Sequence, residues 1–156
     1  MRPVVPRFRF LTPPRTIAAC ESARGALCLL EPAPGVFYVR VDGSYSKDLY
    51  DRGFLVPMMA EVPRVPSLQL FVDWWDLASY DSAVRSAATE WATEHKTRVE
   101  RTELLVRSRL VAMGVNTAAM LLTLRGIRLS VHAALAPFEA ALQAAVAGRR
   151  RNELPA

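Results

Sequence analysis

Three carboxylates lie close together in one short stretch of the 156-residue chain, at Asp73, Asp76 and Asp81. Carboxylate oxygens are the ligands that magnesium and calcium prefer, so this stretch could bind a hard cation. It lacks the alternating acidic positions and the glycine of a calcium-binding loop. Loop solubility and helix capping also explain the three residues, and the sequence therefore predicts no metal site here.

Patterns that indicate catalysis are weak in the rest of the sequence. His95 and His132 are the only histidines, and neither has a second histidine at the helical spacing of a metal site. Ser108 lies between two arginines and could contact an anion, but no Gly-x-Ser-x-Gly elbow surrounds it. No glycine-rich phosphate loop or dinucleotide fingerprint occurs. We therefore predict a non-catalytic protein without a cofactor, and an enzyme of unassigned class stays a third hypothesis.

Two adjacent tryptophans, Trp74 and Trp75, indicate recognition rather than chemistry. Successive side chains of a strand point to opposite faces, so the two indoles cannot both face the same side of a continuing strand. We expect one indole in the core and the other exposed at a loop, where tryptophan often anchors a protein contact.

Hydrophobic patterning predicts the elements that would position these residues. Residues 68–72 form a short apolar run, which is typical of a strand buried on both faces. From Ser82 the apolar period becomes helical, and Ser79 or Asp81 could cap that helix. A core strand therefore delivers a polar loop, residues 73–81, to a helix N-terminus, where α/β domains often place recognition.

The complete chain is predicted to have the order β-β-α-β-α-β-α-β-α. Residues 25–31 and 36–41 predict an antiparallel hairpin, and the later strand–helix–strand units predict right-handed parallel crossovers. Residues 47–62 predict a helix that Gly53 and Pro57 divide. The other expected elements are a strand at 103–107, a helix at 110–124, a strand at 127–131 and a last helix from Pro137 to near Gly148. The predicted fold class is α/β, a mixed β-sheet with an N-terminal hairpin and about four covering helices.

Composition limits the classes of protein that fit. The chain is 51% hydrophobic and 22% charged, which is typical of a compact domain, and no apolar run is long enough to span a membrane. The net charge of +5 permits attraction to anions, but no interleaving of aromatic and basic residues indicates a nucleic-acid partner. Cys20 and Cys28 form no disulfide framework, and the N-terminus has no continuous apolar signal segment. We therefore expect a cytoplasmic protein.

The element order resembles that of the STAS domain superfamily, the SpoIIAA-like anti-sigma-factor antagonists. Residues 68–84 match that family's central strand, loop and helix start, and residues 104–114 match a later strand and helix. The resemblance covers about residues 23–147. It implies a STAS-like domain over 23–147, with a proline-rich N-terminal arm at 1–22 and a solvated basic tail at 148–156. Within the arm, residues 7–11 alternate in polarity and could add an edge strand.

The family's helix start usually reads Asp-Ser-Ser-Gly, and its partner kinase phosphorylates the second serine. The matching residues of this chain are Asp81, Ser82, Ala83 and Val84. Because Ala83 has no hydroxyl, phosphorylation at that position is impossible, although Ser82 or Ser79 could substitute. The alternative is that these polar residues only cap the helix.

The resemblance implies a bacterial regulatory and signalling module that binds another protein or a second copy of itself. The partner would be kinase-like or anti-sigma-like, and it would contact the loop and the helix start. The expected contact residues are Trp74, Trp75, Asp76, Ser79, Asp81, Ser82, Ser108 and Met113. The alternative hypothesis is a carrier or sensor of an apolar ligand or a membrane surface, which would use the divided helix at residues 47–62.

Overall fold

The computed structural model describes residues 4–107, 122–123 and 125–153. The strands in these ranges are β1 (Arg15–Glu21), β2 (Gly25–Ala33), β3 (Val36–Tyr45), β4 (Leu68–Trp74), β5 (Leu77–Tyr80), β6 (Val99–Val106) and β7 (Leu129–His132). The α-helices are α1 (Lys47–Tyr50), α2 (Val56–Glu61), α3 (Ser82–Glu94) and α4 (Leu135–Glu153). A π-helical turn, Asp51–Leu55, joins α1 to α2, and a 3-10 turn, Val62–Arg64, follows α2.

The strands form one mixed sheet in the order β1-β2-β3-β4-β6-β7, and β5 pairs with β3 beyond the end of β4. The first three strands are antiparallel neighbours, whereas β3, β4, β6 and β7 run parallel. The predicted hairpin and parallel crossovers are therefore confirmed. β4 lies in the middle of the sheet, which explains why its residues form an apolar run and not an alternating pattern.

Helices cover the sheet on both faces, and the sheet separates two hydrophobic cores. In β3, Phe37 and Val39 face one core, and Val36 and Tyr38 face the other. The α3-side core lies under α1, α2 and α3 and includes Leu27, Leu49, Phe54, Met58, Val84 and Trp91. The α4-side core lies under α4 and includes Phe8, Cys28, Phe71, Leu105, Phe138 and Leu142.

The helical segment after β3 is divided, as the sequence predicts. Its first turn begins after Ser46, whose hydroxyl accepts a hydrogen bond from the Leu49 N–H at 3.2 Å. Gly53 lies in the π-helical turn, where a Cβ atom would approach Leu27 Cδ2 to 2.7 Å. Pro57 lies in the first turn of α2, where its missing N–H is not needed. The glycine therefore allows this segment to pack directly on β2.

The structure corrects the prediction for the N-terminal segment. Residues 7–11 are not a strand, and the strand of this segment is β1, which pairs with β2. β1 contains small residues that are half-buried or exposed, so its sequence lacks a strong apolar alternation. Phe8, by contrast, is a core residue that packs against Tyr38 and Phe138.

The last helix also differs from its prediction, because α4 continues past Gly148 to Glu153. Arg149 donates to Glu100 Oε1 at 2.6 Å, and Arg150 donates to the Pro32 carbonyl at 3.0 Å. These contacts offset the roughly 1 kcal/mol that a glycine costs within a helix. Gly148, Arg149 and Arg150 are therefore half-buried parts of a helix, whereas Arg151 and Asn152 are exposed, as expected of a solvated tail. Whether residues 23–147 fold without the flanking segments stays a prediction.

The predicted helix at 110–124 falls largely outside the described residues. Within the described ranges, no helix is both long enough and apolar enough to cross a membrane.

Candidate functional site

The predicted loop at residues 73–81 is largely β-structure. Residues Gln69–Asp73 pair with the first half of β3, and β5 pairs with Gly43–Tyr45 at the end of the same strand. Trp75 and Asp76 form a turn between the two paired segments. The Asp76 carbonyl accepts a hydrogen bond from the Gly43 N–H at 3.0 Å. The chain therefore continues along β3 after a bulge, and this corrects the prediction that residues 73–81 form a loop.

The carboxylate of Asp73 is fully buried beneath the bulge. It accepts hydrogen bonds from the Tyr38 hydroxyl at 2.7 Å, from Arg7 Nε at 2.9 Å and from the Trp75 N–H at 3.0 Å. This set of three donors satisfies a buried charge, so Asp73 holds the N-terminal segment to the sheet.

Asp76 is bound by arginines from two directions. Arg7 Nη2 lies 2.5 Å and Arg40 Nη2 lies 3.1 Å from Asp76 Oδ2. Partial burial opposes ionisation of Asp76, but the hydrogen bond from Arg7 and the charges of both arginines hold its pKa below the ordinary value. In the part of the chain that the structure describes, no group of three or more metal-ligating side chains occurs. The acidic residues of the bulge therefore form internal ion pairs.

The polar residues at the start of α3 are exposed, and their contacts differ from the predicted cap. Asp81 occupies the N-cap position of α3 but makes no side-chain cap there. Its Oδ2 instead accepts a hydrogen bond of 3.1 Å from the backbone N–H of Lys47, the first residue of α1. Ser79 lies in β5 and donates to Ser44 Oγ at 3.0 Å, and Ser82 is exposed. The expected contact residues Ser108 and Met113 lie outside the described residues.

Trp74 and Trp75 point to opposite faces of the sheet, as predicted from strand geometry. Trp74 packs on the α3-side core and Trp75 packs on the α4-side core. Both are half-buried, and not one buried and one exposed as expected. A role of either indole in contact with a partner stays a prediction.

A cavity of about 140 Å³ lies in the α3-side core, next to Trp74. Apolar side chains from the sheet and from the covering helices form most of its wall. The aromatic residues that line it are Tyr45, Tyr50, Phe54, Trp74, Tyr80 and Trp91. The polar residues at its wall are Arg85, Thr89 and Thr102, of which Arg85 is exposed.

The six aromatic side chains contact one another in a continuous series, which we call the aromatic chain. The ring centroids of Tyr80 and Trp74 are 5.6 Å apart, and those of Trp74 and Tyr45 are 6.2 Å apart. From Tyr45 the series continues through Tyr50 at 5.9 Å. Phe54 follows at 5.4 Å and Trp91 at 5.0 Å. The aromatic chain therefore gives the cavity a stiff wall that runs from the bulge to the middle of α3.

Three residues that line the cavity also carry a buried polar atom with no hydrogen-bond partner among the described residues: Tyr50 Oη, Trp74 Nε1 and Trp91 Nε1. Tyr50 and Trp91 are 2% and 4% exposed, so water does not reach these groups freely. Burial raises the pKa of Tyr50, and its hydroxyl therefore stays protonated at physiological pH. The lining of the cavity is therefore mostly apolar.

Comparison with known proteins identifies the fold. No protein-family model matches the sequence, and no curated protein sequence matches it. The structure is similar to that of an uncharacterized protein of the DUF3478 family from Shewanella loihica PV-4, which is described as having a SpoIIAA-like fold. The TM-score is 0.53 at 9% sequence identity, over 86% of this chain and 99% of that chain. This chain has a SpoIIAA-like fold. The predicted STAS-like class, a mixed sheet with an N-terminal hairpin and covering helices, is confirmed.

Sequence reasoning located only part of the cavity in this SpoIIAA-like domain. The divided helix at 47–62 was predicted as an apolar-ligand element, and it supplies Tyr50 and Phe54 to the wall. Trp74 was predicted as a site residue for a different reason, contact with a protein. The helical period of the sequence places Trp91 on the apolar face of its helix. This pattern does not indicate that its indole N–H lacks a hydrogen-bond partner.

Proposed function

We propose that this SpoIIAA-like domain is a non-catalytic binding module that carries or senses a small apolar molecule. The site is the cavity between the sheet and the segments formed by α1, the π-helical turn and α3. The observation that carries the proposal is a cavity of about 140 Å³ with a mostly apolar lining, along which six aromatic side chains contact one another in series.

Ligand sites in general are apolar hollows with a small number of polar groups that fix the ligand's orientation. The cavity beside the aromatic chain has this composition.

The size of the cavity supports a small ligand. At about 140 Å³ it is similar to an engineered apolar cavity of about 150 Å³ in another protein, which binds benzene. The wall residues that the structure describes provide no carboxylate, imidazole or thiol for acid–base or nucleophilic chemistry. His95 stacks on Trp91 with its ring centroid 4.8 Å away, and its Nδ1 lies 2.8 Å from the Trp91 carbonyl oxygen. These features favour binding over catalysis.

Benzene is the probe that tests the proposal. Titration into the ¹⁵N-labelled protein is expected to give saturable shifts of the backbone signals of Tyr50, Phe54 and Ala88, which line the cavity. Replacing Ala88, which lies on the cavity wall, by leucine fills the space and is expected to abolish these shifts. Ala83→Leu is the matched control, because Ala83 is exposed on the same helix. Absence of saturable shifts in the wild-type protein, or shifts that persist in Ala88→Leu, would contradict the proposal.

A second candidate function is binding of a protein partner at the exposed start of α3. Ser79, Asp81 and Ser82 are exposed there, and Ser79 and Asp81 are held in place by hydrogen bonds to Ser44 and Lys47. A phosphate on Ser82 would lie in the first turn of a helix, where negative charge is favourable. Self-association through this surface is the simplest version to test. Sedimentation velocity would then detect a dimer that Asp81→Lys with Ser82→Arg disrupts, and a wild-type monomer at all concentrations would remove this version.

A further inference from the structure

We propose that the cavity takes a small organic anion, whose apolar body lies against the aromatic chain and whose carboxylate pairs with Arg85. This inference rests on the proposed function, because it assigns the chemical class of the ligand at the same site. It depends on a lining side chain that is exposed to solvent and that a ligand can therefore reach. Three observations support it: the position of Arg85, its unpaired charge and the composition of the wall around it.

Arg85 lies on the face of α3 that meets the cavity. The residues of α3 that line the cavity are Arg85, Ala88, Thr89, Trp91 and Ala92. Ala88, Thr89 and Ala92 follow Arg85 at the spacing that places residues on one stripe of a helix. These three residues are half-buried, whereas Arg85 is exposed. Arg85 therefore stands where the stripe passes from the cavity to solvent.

The charge of Arg85 has no partner among the described residues, because its side chain forms no ion pair or hydrogen bond with any of them. Lys47 and Arg52, which are also exposed or half-buried, each pair with an aspartate four positions away. The acidic residues of α3 are Glu90 and Glu94, and neither lines the cavity. The helical period turns both away from the stripe that contains Arg85. The guanidinium is therefore available to an external anion.

The position of this charge favours a carboxylate at the mouth of the cavity. An unpaired ion inside an apolar site is far more costly than a neutral polar group. At an exposed position water still contacts the carboxylate, and an arginine can bind it through two parallel N–H···O hydrogen bonds. No described wall residue carries a carboxylate that would repel the ligand.

The volume and the wall determine the apolar body. A volume of about 140 Å³ suits a single ring or a short chain, and a long acyl chain does not fit. Planar side chains line the cavity from Tyr80 to Trp91, and aromatic groups favour stacked or edge-to-face contacts with another ring. A single-ring carboxylate such as phenylacetate combines the two required parts.

A pair of probes with the same shape isolates the charge. Phenylacetate carries a carboxylate, and phenylacetamide has a neutral amide of similar size in its place. Phenylacetate is expected to bind about fivefold more tightly at low ionic strength, as for an exposed ion pair of good geometry. This advantage should shrink as salt is added, because salt screens exposed charges. Phenethylamine, which is a cation, is expected to bind more weakly than phenylacetamide.

Substitution of Arg85 assigns the effect to one residue. Backbone signals of Ala88 and Thr89 in the ¹⁵N-labelled protein report binding in each variant, since both residues line the cavity. Arg85→Gln is expected to abolish the preference for phenylacetate and to leave the binding of benzene unchanged. Arg85→Lys keeps the positive charge and should retain part of the preference. Arg24→Gln is the matched control, because it makes the same change of charge at an exposed residue that does not line the cavity.

The possible failures are distinguishable. If benzene and both phenyl probes fail to bind, the proposed function is wrong. If benzene binds and phenylacetate shows no advantage over phenylacetamide, the requirement for an anion is wrong and the binding function stands. A preference that persists in Arg85→Gln would overturn the assignment of Arg85. Tighter binding of phenethylamine than of phenylacetate would reverse the sign of the charge that the ligand carries.

Discussion

The Tyr38 hydroxyl donates a hydrogen bond to Asp73 Oδ2 at 2.7 Å, and both side chains are completely buried. Arg7 reaches the same carboxylate oxygen from the N-terminal segment, with its Nε 2.9 Å away. Burial, together with the negative charge of Asp73, raises the pKa of Tyr38, so its hydroxyl remains a donor. Two adjacent strands and the N-terminal segment therefore meet at one buried carboxylate.

We predict that Asp73→Asn lowers the free energy of unfolding by about 2–4 kcal/mol. The substitution keeps the size of the side chain but removes the negative charge that Arg7 and Tyr38 contact, and loss of one partner from a buried ion pair is strongly destabilising. Urea unfolding at neutral pH measures the change. Asp42→Asn is the control, since Asp42 is one-third exposed and pairs with Arg40, and it should cost less than about 1 kcal/mol. Equal losses in the two variants would show that burial of Asp73 is not decisive.

Two tyrosine-to-phenylalanine substitutions are expected to have opposite effects on stability. Tyr38→Phe removes a hydroxyl bonded to a buried carboxylate, and we expect a loss of about 1.5–3 kcal/mol. Tyr50→Phe removes a buried hydroxyl that has no partner among the described residues, so we expect no loss, or a gain of up to about 1 kcal/mol. Thermal and urea unfolding of the two variants, each in ligand-free protein, provide the measurement. A loss in Tyr50→Phe similar to that in Tyr38→Phe would mean that the Tyr50 hydroxyl is already satisfied.

The central part of the fold is predictable from the sequence because its signals are local. The β4 run at 68–72 is apolar at nearly every position, and this pattern arises when helices cover both faces of a strand. The division of the helix at Gly53 and Pro57 is similarly local, since the constraint on the backbone lies in the residue itself. β1 gave no such signal, because an edge strand of small residues buries little surface.

The arrangement of the candidate site could not be predicted, because it depends on contacts between distant residues. Arg7 and Asp73 are 66 positions apart, and neither residue's neighbours indicate the pairing. The continuation of the chain along β3 depends on the register of Ser79 with Ser44, which the local sequence of residues 73–81 does not encode. The cavity is lined from several elements, and an unpartnered indole N–H such as that of Trp91 is visible only after packing is known.

The free energy of unfolding should fall in acid, partly because of the ion pair between Arg15 and Glu61. The hydrogen bond from Arg15 holds the pKa of Glu61 below its ordinary value of 4.5, although burial opposes this shift. A lowered native-state pKa means that the ionised carboxylate stabilises the fold. Its contribution is complete above the unfolded-state value and is lost as the pH falls through the native-state value.

We therefore predict that the free energy of unfolding decreases less steeply below pH 4.5 in Arg15→Gln than in the wild-type protein. Urea unfolding between pH 7 and pH 3 tests this. Arg24→Gln makes the same change of charge at an exposed residue and should follow the wild-type slope. Parallel curves for Arg15→Gln and the wild-type protein would show that Arg15 does not set the titration of Glu61.

The N-terminal segment is expected to be part of the folded domain and not a separable arm. Phe8 is 6% exposed and contacts the rings of Tyr38 and Phe138 at 6.1 Å and 5.7 Å, whereas Leu11 is fully exposed. Phe8→Ala should lower the free energy of unfolding by about 3–4 kcal/mol, because it removes a buried ring and leaves a cavity. Leu11→Ala, which deletes a side chain of similar character three residues later, should change it by less than about 0.5 kcal/mol. Urea unfolding compares the two variants, and an unchanged midpoint in Phe8→Ala would instead show that the residues before β1 are not part of the cooperative fold.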